Sequence, residues 1–330
     1  LRNVAIGAFA MDDTDAGSTS AASDDCVFIG YSAGGGTWAN QDCSNMIGIG
    51  TSALAGALEG NTADGSIAIG TEALTANTSG YYNTAIGFES LKANQTGAAN
   101  TALGYQTLLA NTGNNNTAVG YAALKANVAG IQNTAIGQEA LFTNIDGSKN
   151  TAVGFKALYD FEADTVNHGW NTALGDVAGQ NVSTGTTNIC IGHDSAGTLT
   201  TGDSNIIIGT SANVSTAAAA NQIAIGYNVT AVGNNSVTLG NSSATKVYMA
   251  SDGGATVFAA GLGIGLGTSA PTGEMEIKFD TNKHMFFSDS QGEVGNCPSI
   301  HTTNTAGDAL VDFGIRADNI LFATGDAERV

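Results

Sequence analysis

Basic residues are scarce in this chain: Lys and Arg number 10 against 29 Asp and Glu, and residues 3–91 contain no base at all. Nucleic-acid binding needs clustered cations to neutralise phosphates, so that class is excluded, and docking to an anionic membrane surface is disfavoured for the same reason. The net charge of −19 suits the solubility of a long particle. Proline is limited to Pro271 and Pro298, which rules out collagen despite 45 glycines. Only 12% of residues are charged while 42% are hydrophobic, the reverse of a disordered chain. No apolar run approaches the length of a membrane-spanning helix, so no membrane insertion is expected.

Cysteine is sparse too. Cys26, Cys43, Cys190 and Cys297 show no CxxC spacing, so neither a zinc site nor a redox pair is indicated. Cys26 and Cys43 fall in neighbouring repeats, which permits a disulfide and equally permits two small apolar fillers. Catalytic signatures are missing as well. There is no HExxH, no GxSxG and no GxxxxGK[ST], and the glycine-rich GLGIGLG has no helix pattern after it. Polysaccharide-cutting enzymes pair two carboxylates; here acids of the repeat region stand singly, at Glu89, Glu139 and Asp176, or lie in loops. No catalytic residue, cofactor or resident metal is expected. A depolymerase whose active site is shared between chains is a minor alternative.

What the chain does have is repetition. From Asn83 to Leu158 it reads NTAIGFESLKANQTGAA, NTALGYQTLLANTGNN, NTAVGYAALKANVAGIQ, NTAIGQEALFTNIDGSK, NTAVGFKAL. A fixed period marks a stacked architecture and takes precedence over local motifs. Aligning the glycine that ends each NTAIG-like element gives fourteen anchors between Gly7 and Gly240, most of them 17 residues apart. The longer intervals are insertions in the variable half of the unit, where added loop length costs little. The spacing predicts an all-β solenoid of about fourteen coils, a rod on the order of 65 Å long at the ~4.8 Å strand spacing.

Within NTAIG, adjacent apolar residues such as Ala85-Ile86 and Ala135-Ile136 point to opposite faces of a strand. The larger Ile, Leu or Val is expected to fill the inside of the coil, leaving the flat alanine side in need of a covering surface. Leu74, Leu91, Leu108, Leu124, Leu141 and Leu158 each follow a glycine by four residues and are read as a second short strand. The Asn- and Gly-rich segment after them is turn chemistry. Stacking places like over like, so Asn83, Asn100, Asn116, Asn133, Asn150, Asn171, Asn188 and Asn205 are expected to form an amide ladder. The threonines that follow the first six form a parallel column. Gly87, Gly104, Gly120, Gly137, Gly154 and Gly175 are the expected turn glycines. A single Thr rank beside an amide ladder falls short of the paired ranks that order water on ice-binding faces.

Three stretches interrupt the pattern. Residues 11–25 carry Asp12, Asp13, Asp15, Asp24 and Asp25; their spacing departs from an EF-hand loop, which also ends in Glu, and a solvated acidic loop is the preferred reading over a calcium site. A second insertion presents Trp38, and the long coil at 155–170 holds Phe161, His168 and Trp170. Loop aromatics serve as binding hot spots or pack the loop onto its neighbour. Trp38, Phe161, His168 and Trp170 are the candidate receptor contacts, with His168 read by itself as a polar loop residue. The expected organisation is a repeat domain at 1–240, a connector at 241–260 and a small β-module at 261–330, where Met275, Ile277 and Phe279 alternate as in a half-buried strand and MFFSD, ALVDFGI and NILFAT supply further strands.

Coils of the NTAIG–xx–AL type that close in Asn235-Ser236-Val237-Thr238-Leu239-Gly240-Asn241-Ser242 resemble the left-handed β-roll heads of trimeric autotransporter adhesins. The seventeen-residue spelling is closer to repeat regions of phage tail fibres that carry a C-terminal endosialidase-type chaperone, and GLGTSAPTGEMEI at 265–277, with Leu266 inserted and Met275 where Leu is usual, is similar to an element common in such fibres ahead of the chaperone. The resemblance covers about residues 3–245 together with that element. It implies a left-handed homotrimer whose inner strands face a threefold axis; separately, because the chain begins inside a repeat-like RNVAIG, further sequence is expected upstream of Leu1. It also implies a structural role in the virion, with other tail proteins and a host-surface glycan or protein as partners. The alternatives are a bacterial trimeric surface adhesin, which places the chain at the cell surface, and a purely structural extracellular filament.

Overall fold

The structure, a computed structural model, describes residues 2–12, 24–36, 44–56, 64–163, 165 and 168–244, and beyond these the strand segments 275–280, 283–289, 298–303, 323–324 and 327–328. The chain divides into two units, Leu1–Tyr248 and Met249–Val330. The first unit is a parallel β-solenoid. Its fourteen described strands run from β1 (Val4–Ile6) to β14 (Ser236–Leu239) in one sheet, each paired with its sequence neighbours. Register is conserved from rung to rung: Thr117, Thr134 and Thr151 align, as do Ala118, Ala135 and Ala152.

The strand faces are the reverse of the expectation. From Ala68 to Ala173 the central alanine of each successive strand is fully buried, while the Thr or Ile before it and the Ile, Leu or Val after it are half-buried or exposed. The reason is parity. Asn133, Ala135 and Gly137 are alternate residues and share a face, and the buried amide of Asn133 commits that face to the inside. Ile136 must then point out, and it is 41% exposed.

Alanine suffices inside because bulk arrives from across the coil. Leu74, Leu91, Leu108, Leu124, Leu141 and Leu158 are all fully buried, each gaining about 1.5–3 kcal/mol from leaving water. The segment that carries them is not the second strand expected, but a run of turns in which Glu89 (φ 55°) and Leu91 (φ 50°) are both left-handed. Left-handed residues cost about 1–2 kcal/mol each. Coil-to-coil hydrogen bonds offset that cost: the Glu89 N–H donates to Thr71 O at 3.0 Å in the coil before, and the Leu91 N–H to Thr107 O at 3.1 Å in the coil after.

One early coil exchanges large for small. Phe28 stands where other coils have alanine, and a Cβ added to Gly34 or Gly48 would come within 2.6 Å of its ring. Those glycines occupy the leucine and alanine positions of their own coils, so core volume is conserved while its sources change.

In the second unit β15 (Met275–Asp280), β16 (Lys283–Asp289) and β17 (Pro298–Thr303) form an antiparallel sheet, and β18 (Ala323–Thr324) pairs with β19 (Ala327–Glu328). The expected MFFSD strand lies within β16 and the end of NILFAT within β18. ALVDFGI lies outside the described residues. The strand at 298–303 carried no sequence signal of its own. Every element among the described residues is β, and no helix there is long and apolar enough to cross a membrane.

Candidate functional site

The amide ladder is built from two kinds of bond. Each side-chain oxygen accepts the backbone N–H of the next rung: Asn100 N donates to Asn83 Oδ1 at 3.0 Å, Asn133 N to Asn116 Oδ1 at 3.0 Å, and Asn205 N to Asn188 Oδ1 at 3.0 Å. Most of the Nδ2 groups close their own coil, as where Asn116 reaches Gly130 O at 2.9 Å and Asn171 reaches Gly185 O at 2.9 Å. Direct amide-to-amide bonds occur at only some rungs, such as Asn150 Nδ2 to Asn133 Oδ1 at 3.1 Å. Gln222 continues the column by donating its N–H to Asn205 Oδ1 at 3.0 Å.

A second buried amide column runs through Asn77, Asn94, Asn111, Asn127 and Asn144, whose side chains donate each to the one before at 2.7–3.4 Å. Sequence reading had assigned these residues to turns. Their regular place in the repeat was the available signal.

The turn glycines are required twice over. Gly87, Gly104, Gly120, Gly137, Gly154 and Gly175 have φ between 130° and 141°, and an added Cβ on any of them would lie 2.1–2.6 Å from the carbonyl oxygen of the glycine one coil on. Both the backbone angle and the stacking distance exclude a side chain.

Of the candidate receptor contacts, Trp38 lies outside the described residues, as do residues 13–23 of the acidic insertion. Phe161 is corrected: it is fully buried and part of the core, since it falls at the second-column position where the preceding coils place Asn144 and Asn127. Glu162 beside it accepts a hydrogen bond from the Ile145 N–H, and burial pushes its carboxyl up. His168 and Trp170 are exposed, with ring centroids 5.5 Å apart. They sit where the long coil rejoins the stack. There Ser148 N donates to His168 O at 2.9 Å and Trp170 N to Ser148 O at 3.2 Å. Lys149 Nζ lies 5.3 Å from the centre of the Trp170 ring, a cation–π arrangement.

Cys190 is a buried free thiol whose pKa burial raises to about 12, and Cys26 is a buried core residue. Cys43 lies outside the described residues. The single acids Glu89 and Glu139 meet cations at the surface, Lys92 at 2.6 Å and Lys156 at 3.5 Å, and Asp176 lies 3.4 Å from the His193 ring. Among the described residues no group of three or more His, Cys, Asp or Glu is arranged to hold a metal ion.

The most continuous surface feature is the outer face of the sheet. One rank carries Thr84, Thr101, Thr117, Thr134, Thr151 and Thr172, continued by Ile or Val in the coils before and after; the other carries Ile, Leu or Val at every rung, as at Leu103, Ile136 and Leu174. The aliphatic rank was expected inside, so the Thr rank lies beside an exposed apolar rank on the same face. Elsewhere Phe88, Tyr105 and Tyr121 stack with centroids 5.3–5.4 Å apart, and Phe142 stacks on Tyr159 at 5.2 Å. Face-to-face stacking along the rod turns ring edges outward, so these columns rigidify the side of the solenoid and leave few ring faces free. Compared with known proteins, the chain matches no protein-family model, no curated protein and no solved structure.

Proposed function

We propose that the chain is a non-enzymatic structural element of a phage tail fibre, a homotrimer that spans distance in the virion and presents its loops to a host surface. The observation that carries this reading is the outer sheet face. Fourteen rungs bring an unbroken aliphatic rank to the surface, and monomeric proteins rarely leave contiguous apolar surface of more than a few hundred Å² uncovered. Three copies packed about a common axis would bury that face symmetrically. The threefold contact therefore uses the Thr and aliphatic ranks, since the alanines fill the coil interior. Nearest-neighbour coils held by two internal amide columns suit a spacer, whose length scales with coil number. Attachment is assigned to loops such as the one that ends at His168 and Trp170.

The test is the mass of the intact particle by light scattering. The chain weighs 33.0 kDa, so a trimer weighs 99 kDa. A stable particle of one chain would overturn the reading and leave a flat Thr–aliphatic face open to water, which returns ice binding to consideration.

A further inference from the structure

The outer face of the solenoid sheet changes along its length. In the threonine-bearing rank, six consecutive strands from Thr84 to Thr172 carry threonine. The four strands before them present Val4, Val27, Ile47 and Ile67 in that rank. The four after them present Ile189, Ile206, Ile223 and Val237. The neighbouring rank is aliphatic at every rung. A block of six hydroxyls thus stands between two wholly aliphatic ends, and all fourteen side chains of its rank are half-buried or exposed.

Those six hydroxyls are idle within the chain. Threonine hydroxyls elsewhere are used, since Thr75 donates to Ser52 O at 2.9 Å and Thr107 to Gly120 O at 2.7 Å. None of the six on the outer face has a hydrogen-bond partner among the described residues. Parallel pairing holds successive rungs about 4.8 Å apart, too far for one hydroxyl to bond the next. Each therefore keeps a donor and an acceptor for a partner outside the chain.

Whatever covers this face must match it rung for rung, aliphatic at both ends and hydrogen-bonding in the middle. Another copy of the chain does so when it lies parallel and level. Three copies about one axis bring three hydroxyls to the same height, where each donates one bond and accepts another and the ring closes with no donor left over. Two ranks of fourteen supply twenty-eight side chains, within the ~20–30 residues a side of a stable interface. Displacing one copy by a rung sets Ile67 against Thr84 at one boundary and Thr172 against Ile189 at the other. The hydroxyls there are then desolvated without a partner, the costly case for a hydrogen-bonding group. A second rung of displacement doubles the number of mismatches. The order of the block reads the same in both directions, so direction comes from closure: three copies related by a threefold axis all run parallel.

We infer that the outer face binds two further copies of this chain, parallel and level, and that the threonine block between its aliphatic ends sets this axial alignment. The ends supply apolar area, and the hydroxyls penalise displacement. The inference rests on the trimer reading above and adds which residues fix the alignment.

The experiment co-folds two full-length chains. In one, Ile47→Thr, Ile67→Thr, Thr151→Ile and Thr172→Ile move the hydroxyl block two rungs toward the N-terminus, with every change on the outer face. Alone, this chain is expected to assemble as wild type does, because each rung still meets its own copy. Co-folded with tagged wild type it is expected to sort. Mixed particles, counted by native mass spectrometry, should fall about threefold or more below the roughly three-quarters share that random assembly from equal pools gives. Random mixing would overturn the inference and leave the trimer standing.

Thr101→Asp checks direction. Alone it is expected to give single chains of 33.0 kDa with unchanged circular dichroism. Co-folding with Thr101→Lys is expected to restore the particle, and co-folding with Thr151→Lys, the rung a reversed copy would bring there, is not. Restoration by Thr151→Lys, or assembly of Thr101→Asp unaided, would overturn the inference as well. The conservative swaps keep the test decisive should the charged chains fail to fold. A wild-type particle of one chain would instead remove the trimer reading and this inference together.

Discussion

Asn144 and Phe161 hold the same place in successive coils, and the aromatic ring ends the second amide column. Both crowd Gly147, where an added Cβ would lie 2.2 Å from Asn144 Oδ1 and 2.5 Å from Phe161 Cε1. Asn127 Oδ1 receives the amide of Asn144 at 2.7 Å, whereas Asn144 Oδ1 is buried and accepts nothing from any described residue. The column stops because phenylalanine has no donor to offer. In the next two coils Val182 and Leu199 hold the equivalent positions, both fully buried. The second column thus changes from amide to apolar at one rung, while the first continues through Asn171, Asn188 and Asn205.

Phe161 is therefore core. Phe161→Ala is expected to destabilise the solenoid by about 3–5 kcal/mol, and Trp170→Ala by under about 1 kcal/mol, a surface-type change. Denaturant midpoints of the two variants check the contrast. Deleting residues 160–170 to remove a receptor loop would remove this core side chain too, so point changes at His168 and Trp170 are the cleaner probes of attachment.

The first column makes a pH-dependent prediction. In Asn116→Asp the carboxylate keeps the acceptor for the Asn133 N–H but loses the donor to Gly130 O. Burial raises the folded pKa of such a group above its unfolded value. The variant is therefore most stable when the carboxyl is protonated and loses stability as pH rises through that raised pKa. Thermal melts at pH 3 and pH 7, each compared with wild type, read the sign; an equal deficit at both would show that the site is wet.

Gly137→Ala is expected to prevent stacking at its coil, because the new Cβ would sit 2.3 Å from Gly154 O at φ 135°. Gly233→Ala is expected to be neutral, with nothing within 4 Å of the added carbon. Limited proteolysis should cut the first near its coil and spare the second.

Cys190 reports the opening of its own coil. With its pKa at about 12, the folded thiol stays protonated and resists alkylation at pH 8, and labelling follows opening. The folded pKa lies above the ordinary thiol value of 9.0. Its contribution to stability is thus present below pH 9 and is lost progressively as pH rises from 9 through about 12. Rapid labelling of the native protein would place Cys190 at the surface.

Ile136→Asp places a charge in the middle of the outer aliphatic rank. On the proposed trimer it is expected to leave the coil intact, since the side chain points outward, and to release single chains of 33.0 kDa. Circular dichroism and light scattering on the same sample separate loss of fold from loss of assembly.

The repeat and its period were legible because every coil solves the same packing problem, so Asn, Ala, Gly and Leu return at fixed offsets. Which way the strands face was also written there, in the parity that Asn83 and Ala85 share, but local hydrophobicity pointed the other way. Isoleucine looks like core and alanine like filler until the leucine across the coil is known to fill the interior. The left-handed backbone at Leu91 left no such trace, since composition does not distinguish an extended leucine from one held at positive φ by a bond to the next coil. Sequence alone determined the all-β repeat, its rung spacing and its glycine turns, because those follow from residues that contact their own copies. Only the tertiary structure decided the inner and outer faces and the core position of Phe161, because each depends on what lies across the coil.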